Sequence, residues 1–174
     1  NNSNHLYLRK GMSSNNDSFL EAVLECVHYD KVSKIPKNKR DVMLKQVRNK
    51  LSDFEYLPSA KQEMYDFSLD QILEYLESDK DFSSDYFINL LQTYFNCNIF
   101  IFSRRKNSED TILSVPRHLQ AYYKRKHSDR CIFIYKHYGA VSDHRSKPKY
   151  EIIIRRKKTT KQEQFIFDIN TDTV

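Results

Sequence analysis

The chain has 174 residues, of which 39% are hydrophobic and 30% charged, and its formal net charge is +6. This length suits one domain with a hydrophobic core, and no apolar run approaches the roughly 18 residues of a membrane span. The opening NNSNHLYLRKGM lacks the continuous apolar segment of a secretory signal. We expect residues 1–174 to form a single domain with its core at about 13–169. Because the chain does not begin with Met, we also expect it to be a fragment of a longer protein.

Four helical patterns occupy the first half of the chain. Apolar residues at helical spacing predict helices over about 18–29, 38–53, 69–78 and 84–95. Asp17 and Ser68 precede the first and third patterns, and both are expected to act as N-caps. The second helix is predicted to bury one face made of Val42, Met43, Val47 and Leu51.

The pattern then changes to short apolar runs that are typical of strands. The predicted strands are HLYLRK (5–10), NIFIF (98–102), TILSV (111–115), CIFIY (131–135), YEIII (150–154) and QFIFDI (164–169). Helices followed by consecutive strands indicate an α+β domain in which the helices pack on a small mixed or antiparallel sheet.

The three cysteines, Cys26, Cys97 and Cys131, are far apart and each lies in an apolar segment. The sequence has no CxxC pair and no Cys/His cluster with zinc-ligand spacing. We therefore expect buried, reduced thiols in an intracellular protein of the cytoplasm or nucleus. Two glycines cannot build a phosphate-binding loop, so no cofactor is expected. The sequence also lacks an HExxH motif, so no metal is expected either.

Basic residues cluster in four runs, at 31–40, 104–106, 124–130 and 155–161. Such runs are either a solvated surface or a surface that binds phosphate groups. The candidates for nucleic-acid binding are Arg104, Arg105, Lys106, Lys124, Arg125, Lys126, Arg155, Arg156 and Lys157. An abundance of Asn, Lys, Tyr, Phe and Ile suits an AT-rich genome.

Three segments resemble the ovarian-tumour (OTU) type of papain-like deubiquitinase. They are NNDSFLEAVL (15–24), YLESDKDFSSDYFINLLQTYFNCNIFIF (75–102), and CIFIY (131–135) followed by KYEIII (149–154). They stand in the family's order and cover about 13–155. The resemblance implies an OTU/papain-like fold. The strong divergence of this sequence from the family suggests a large multidomain protein of a large DNA virus. A virion-associated location is one alternative for such a protein.

The same resemblance places unusual residues at the reacting positions. Ser18 stands where the family has its cysteine, and Lys149 stands where it has its histidine. Asn15 replaces the family's Asp, and Glu151 falls where a residue would orient the histidine. A serine hydroxyl is a much weaker acid than a thiol and needs a general base, whereas a lysine ammonium cannot accept its proton. The resemblance therefore implies a catalytically inactive domain.

These observations leave three hypotheses. The first is a non-catalytic OTU-like module that has a binding or scaffolding role in a larger assembly. Its expected partners are other proteins of the assembly, ubiquitin or nucleic acid, and no membrane contact is expected. The alternative is a deubiquitinase-like hydrolase in which His137 or His144 approaches Ser18. The third is an architectural domain that packs against neighbouring parts of its own protein. If the resemblance is set aside, Ser18 is simply the first residue of a capped helix.

Overall fold

The computed structural model describes residues 4–12, 17–53, 68–77, 84–103, 129–137 and 149–168. Its helices are α1 (Ser18–Val27), α2 (Tyr29–Val32), α3 (Arg40–Ser52), α4 (Leu69–Glu77) and α5 (Ser84–Phe95), with a 3-10 turn at Lys37–Lys39. Its strands are β1 (His5–Gly11), β2 (Asn98–Ser103), β3 (Arg130–His137), β4 (Lys149–Lys157), β5 (Glu163–Gln164) and β6 (Phe167–Asp168). The predicted α+β class is confirmed, and the predicted strand at 111–115 lies outside the described residues.

The strands form one mixed sheet in the order β1-β4-β3-β2. β4 pairs antiparallel with β1 on one side and with β3 on the other, whereas β2 pairs parallel to β3. His5 stands opposite Lys157 and Gly11 opposite Glu151, so β1 follows most of β4 along one edge of the sheet. This agrees with the predicted mixed sheet, while an OTU/papain-like arrangement stays a prediction.

The sheet carries apolar side chains on both faces. On the first face α1 packs against β4 and β3, and the main core forms between the helices and the alternate residues Ile132, Ile134, Tyr150, Ile152 and Ile154. On the second face a smaller cluster contains Cys131, Phe133 and Phe167, with Phe100, Phe102 and Ile153 packed against it. β3 therefore buries four consecutive residues, 131–134, as a central strand covered on both faces does.

The predicted strand at 164–169 is wrong in one respect, because the segment is divided in two. β3 and β4 pair with each other over 134–137 and 149–152. Beyond this ladder, residues 155–156 of β4 pair with β5, while residues 130–131 of β3 pair with β6. The chain changes partner at Phe165 and Ile166, so it cannot continue as one strand.

The start of α1 also departs from the prediction. Asp17 makes no side-chain capping bond to α1. Instead its carboxylate accepts a 2.6 Å hydrogen bond from Nε of Arg48 in the protein interior. Arg48 lies on the buried face of α3 together with Leu44 and Leu51, whereas Val42, predicted to be buried, is 61% exposed.

The N-cap of α4 is confirmed. The backbone N–H of Gln71 donates to Oγ of Ser68 at 3.2 Å, and the backbone N–H of Ser68 donates to Oε1 of Gln71 at 2.8 Å. This reciprocal pair is a capping box, which satisfies two otherwise unpaired backbone amides at the helix start and fixes the entering chain.

Candidate functional site

Ser18 is the first residue of α1 and is half-buried. Its neighbour Phe19 packs into the core with its ring centroid 5.0 Å from that of Tyr150. Tyr150 directly follows Lys149, so the fold brings the start of α1 close to the start of β4. The segments that carry Ser18 and Lys149 are therefore neighbours through the contact between Phe19 and Tyr150.

The side chains of β4 are nevertheless divided between the two faces of the sheet. Tyr150 and Ile152 belong to the core under α1. Glu151 lies on the opposite face, where Nε of Arg9 is 3.2 Å from its carboxylate. Lys149 is exposed and, by strand alternation, belongs to the face of Glu151. The cation beside Tyr150 is instead Lys136, whose Nζ lies 6.0 Å from the centre of that ring.

The other residues that the resemblance singled out are Asn15, a degenerate position, and the two loop histidines His137 and His144. Asn15 and His144 lie outside the described residues. His137 pairs with Lys149 through the β3–β4 ladder, which locates its backbone at the sheet end near α1. A role for either histidine therefore stays a prediction.

Acidic residues buried on α1 are a feature that sequence reasoning missed. Glu21 and Glu25 are fully buried on this helix. Nη1 of Arg40 is 2.5 Å from Glu21 and 3.1 Å from Glu25, and Nζ of Lys10 is 2.5 Å from Glu25. Two carboxylates and two cations form a neutral group that joins β1, α1 and α3. Their i, i+4 spacing on an apolar helix was the signal available in the sequence.

A cleft of about 670 Å³ opens at the far end of α1. It is lined by Cys26, Val27, His28, Tyr29, Asp30, Lys31, Lys161, Glu163, Phe165 and Ile166. Burial raises the pKa of the Cys26 thiol, while partial burial and the nearby Lys31 and Arg130 lower the pKa of His28. A protonated thiol beside a neutral imidazole is not an activated nucleophile, because the thiolate is the reactive form.

Of the nine basic candidates, the structure describes Arg155, Arg156 and Lys157; the residues at 104–106 and 124–126 lie outside the described part. Alternation along β4 separates the three. Arg156 forms an ion pair with Glu163. Nε of Arg155 donates at 2.9 Å to the amide oxygen of Gln164, and its guanidinium carbon lies 5.6 Å from the centre of the Phe167 ring. The side-chain amide of Gln164 thus helps to orient Arg155, and the carboxylate of Glu163 pairs with Arg156.

A small hollow lies beside Arg155 at the edge of the sheet. Its volume is about 230 Å³, and it is lined by His5, Arg155, Lys157, Gln162, Glu163 and Gln164. The residues come from β1, β4 and the β4–β5 hairpin. The lining is polar and combines the donors of Arg155 and Lys157 with the carboxylate of Glu163, so it favours a polar group over an apolar ligand.

Within the described ranges, no three His, Cys, Asp or Glu side chains are grouped as metal ligands would be. Among those same residues, no helix is both long enough and apolar enough to cross a membrane.

No protein-family model matches the chain. The chain is 26% identical over 185 residues to uncharacterized protein 295L of Invertebrate iridescent virus 6. The match covers 90% of this chain but only 14% of the relative's length. The OTU resemblance gains no support from either comparison and stays a prediction. The similarity to an iridovirus protein points to a viral origin.

Proposed function

We propose that this chain is a non-catalytic, OTU-like binding module of a larger viral protein. One observation carries the proposal: Glu151, which the resemblance maps to the residue that orients the catalytic histidine, lies across the sheet from α1. It contacts Arg9, whose guanidinium carbon also stands 4.5 Å from the centre of the Tyr135 ring. Glu151 is therefore part of a different surface from Ser18.

The chemistry at the start of α1 supports the same proposal. A serine there needs a base to remove its proton, because the positive end of a helix dipole contributes only about 1 kcal/mol at an exposed site. The adjacent carboxylate of Asp17 is already engaged by Arg48 in a buried ion pair. Lys149 is exposed and, by alternation, on the other face of the sheet. Among the described residues, these arrangements engage Asp17 elsewhere and direct Lys149 away from the face on which α1 packs, which supports a non-catalytic role.

The relative adds context to the proposal. The chain matches only 14% of the length of that viral protein, so a role as one module among several is in keeping with the match. Ubiquitin, nucleic acid and other protein partners are the candidates for what the module binds.

The direct test is a ubiquitin-based active-site probe together with a diubiquitin cleavage assay on the purified chain. We expect neither labelling nor cleavage, and the same null result for Ser18→Ala. Cleavage by the natural sequence that disappears in Ser18→Ala would contradict the proposal. A double variant, Ser18→Cys with Lys149→His, serves as the comparison, since recovered activity in it would support the mapped positions. Titration with unlabelled ubiquitin then measures binding separately from cleavage.

A further inference from the structure

We propose that the cleft at the far end of α1 binds a small organic anion that carries an apolar ring system. The cleft lies between the α1–α2 junction on one side and the chain from the β4–β5 hairpin to β6 on the other. Its volume of about 670 Å³ is in the range of small-molecule sites. The proposal goes beyond the binding role given above and uses none of the residues at the start of α1, so either can fail alone.

The apolar residues that line the cleft form its floor. Phe165 is buried there, and its ring stacks on that of Tyr29 with 4.1 Å between the centroids. Val27 and Ile166 line the same cleft and are half-buried. A flat apolar group placed on this floor would leave water and contact rings and aliphatic side chains.

The cleft is also lined by two lysines and two carboxylates. Lys31, Lys161 and Asp30 are exposed, and their side chains make no hydrogen bond or ion pair with another described residue. The carboxylate of Glu163 is instead held by Nε of Arg156 at 3.0 Å. Because that pair is neutral, two ammonium groups and one carboxylate remain at the cleft. One acidic group on the ligand would balance them.

The imidazole of His28, which also lines the cleft, experiences the same sign of charge. Burial, and after it the positive charges of Lys31 and Arg130, lower the pKa of His28. The two charges that act on this imidazole are therefore both positive. An anion bound beside Lys31 enters a region of positive potential.

The backbone of Lys161 is a second, independent observation. Its φ is 59°, in the left-handed region that favours glycine. The N–H of Lys161 donates to the carbonyl oxygen of Lys157 at 2.9 Å, and the N–H of Lys157 donates to that of Gln162 at 2.9 Å, so the hairpin fixes this conformation. A lysine here costs stability that a glycine would not. A strained residue that lines a cleft points to a functional use of its side chain.

The test is a titration of the purified chain with anilinonaphthalene sulfonate, a fluorescent aromatic anion. We expect Lys31→Gln and Lys161→Gln each to weaken its binding about two- to fivefold, because each removes one exposed cation from the cleft. Asp30→Asn removes the opposing carboxylate and should strengthen binding by a similar factor. Naphthoate should displace the probe, whereas neutral naphthalenemethanol and ring-free acetate should not displace it at the same concentration.

Lys34→Gln and Lys158→Gln are the matched controls. Each removes an exposed cation from one of the two segments that form the cleft, but neither residue lines it. Both variants should bind the probe as the natural chain does. Thermal unfolding of every variant confirms that it is folded.

Lys161→Gly separates stability from binding. It should unfold at the same temperature as the natural chain or up to about 4 °C higher, yet bind the probe as weakly as Lys161→Gln. Losses in the control variants equal to those in Lys31→Gln, weaker binding in Asp30→Asn, or equal displacement by naphthalenemethanol would each overturn the proposal. Complete absence of probe binding would also overturn it, while leaving the non-catalytic assignment standing.

Discussion

Ion pairs inside the helical layer are the residue-scale feature that most distinguishes this chain. Asp17 and Arg48 are both buried, and Nη1 of Arg48 also donates to the carbonyl oxygen of Tyr75 at 3.3 Å. One guanidinium thus links the start of α1, the middle of α3 and the end of α4. Sequence periodicity gives no indication of this link, because a charged residue on an amphipathic helix ordinarily faces solvent.

Breaking this pair should be costly. Arg48→Met leaves the Asp17 carboxylate buried without its cation, and we expect a loss of about 3–5 kcal/mol in the free energy of unfolding. Lys50→Met, an exposed cation of the same helix, should change it by no more than about 0.5 kcal/mol. Urea denaturation measures both.

A double-mutant cycle refines the same experiment. Adding Asp17→Asn to Arg48→Met removes the unpaired charge, so the double variant should be more stable than Arg48→Met alone. If Arg48→Met lowers the free energy of unfolding no more than Lys50→Met does, the Asp17–Arg48 ion pair does not stabilise the fold.

Helix ends and strand partners decide the structure at the scale of the element. α5, Ser84–Phe95, coincides with its predicted span, because its apolar stripe is regular and a strand follows at once. The first predicted helix ends at Val27, since the backbone of His28 has φ −129° and leaves the helical region. The segment 163–168 divides because its partners, β4 and β3, have separated.

The capping box of α4 gives a prediction at this scale. Ser68→Ala removes the hydroxyl oxygen that accepts a hydrogen bond from the backbone N–H of Gln71, and it should lower the free energy of unfolding by about 1 kcal/mol. Ser68→Asp keeps an acceptor at the cap and should stay close to the natural value. Both are measured by urea denaturation. Equal losses in the two variants would show that the side-chain cap is not the cause.

At the scale of the whole molecule, three free thiols report on the integrity of the core. Cys26, Cys97 and Cys131 are all buried, as predicted, and are present as free cysteines. Burial raises the pKa of Cys97 to about 12, so little thiolate forms there at mildly alkaline pH. That the chain forms a single domain and is intracellular stays a prediction.

A thiol-labelling experiment tests this burial. With an aromatic disulfide reagent, the native chain should react slowly with all three cysteines, and in denaturing urea all three should react at once. Raising the pH from about 7 to 9 should strongly accelerate the labelling of the unfolded chain, because an ordinary thiol has a pKa near 8.5. Rapid labelling of any thiol in native conditions would mean that the core is open around it.

Periodicity and turn chemistry by themselves determined the helices, the Ser68 cap, the buried cysteines and four of the strands, because these depend on neighbours within a few residues. The assignment of Ser18 and Lys149 to catalytic positions comes only from the family resemblance and stays a prediction. Only the tertiary structure decided which face each side chain occupies. The pairing of β4 sends Glu151 away from α1, and it separates Arg155 from Arg156 although the two are adjacent in sequence. The physical reason is that strand register and buried ion pairs join residues distant in the chain, and local sequence does not encode such partners.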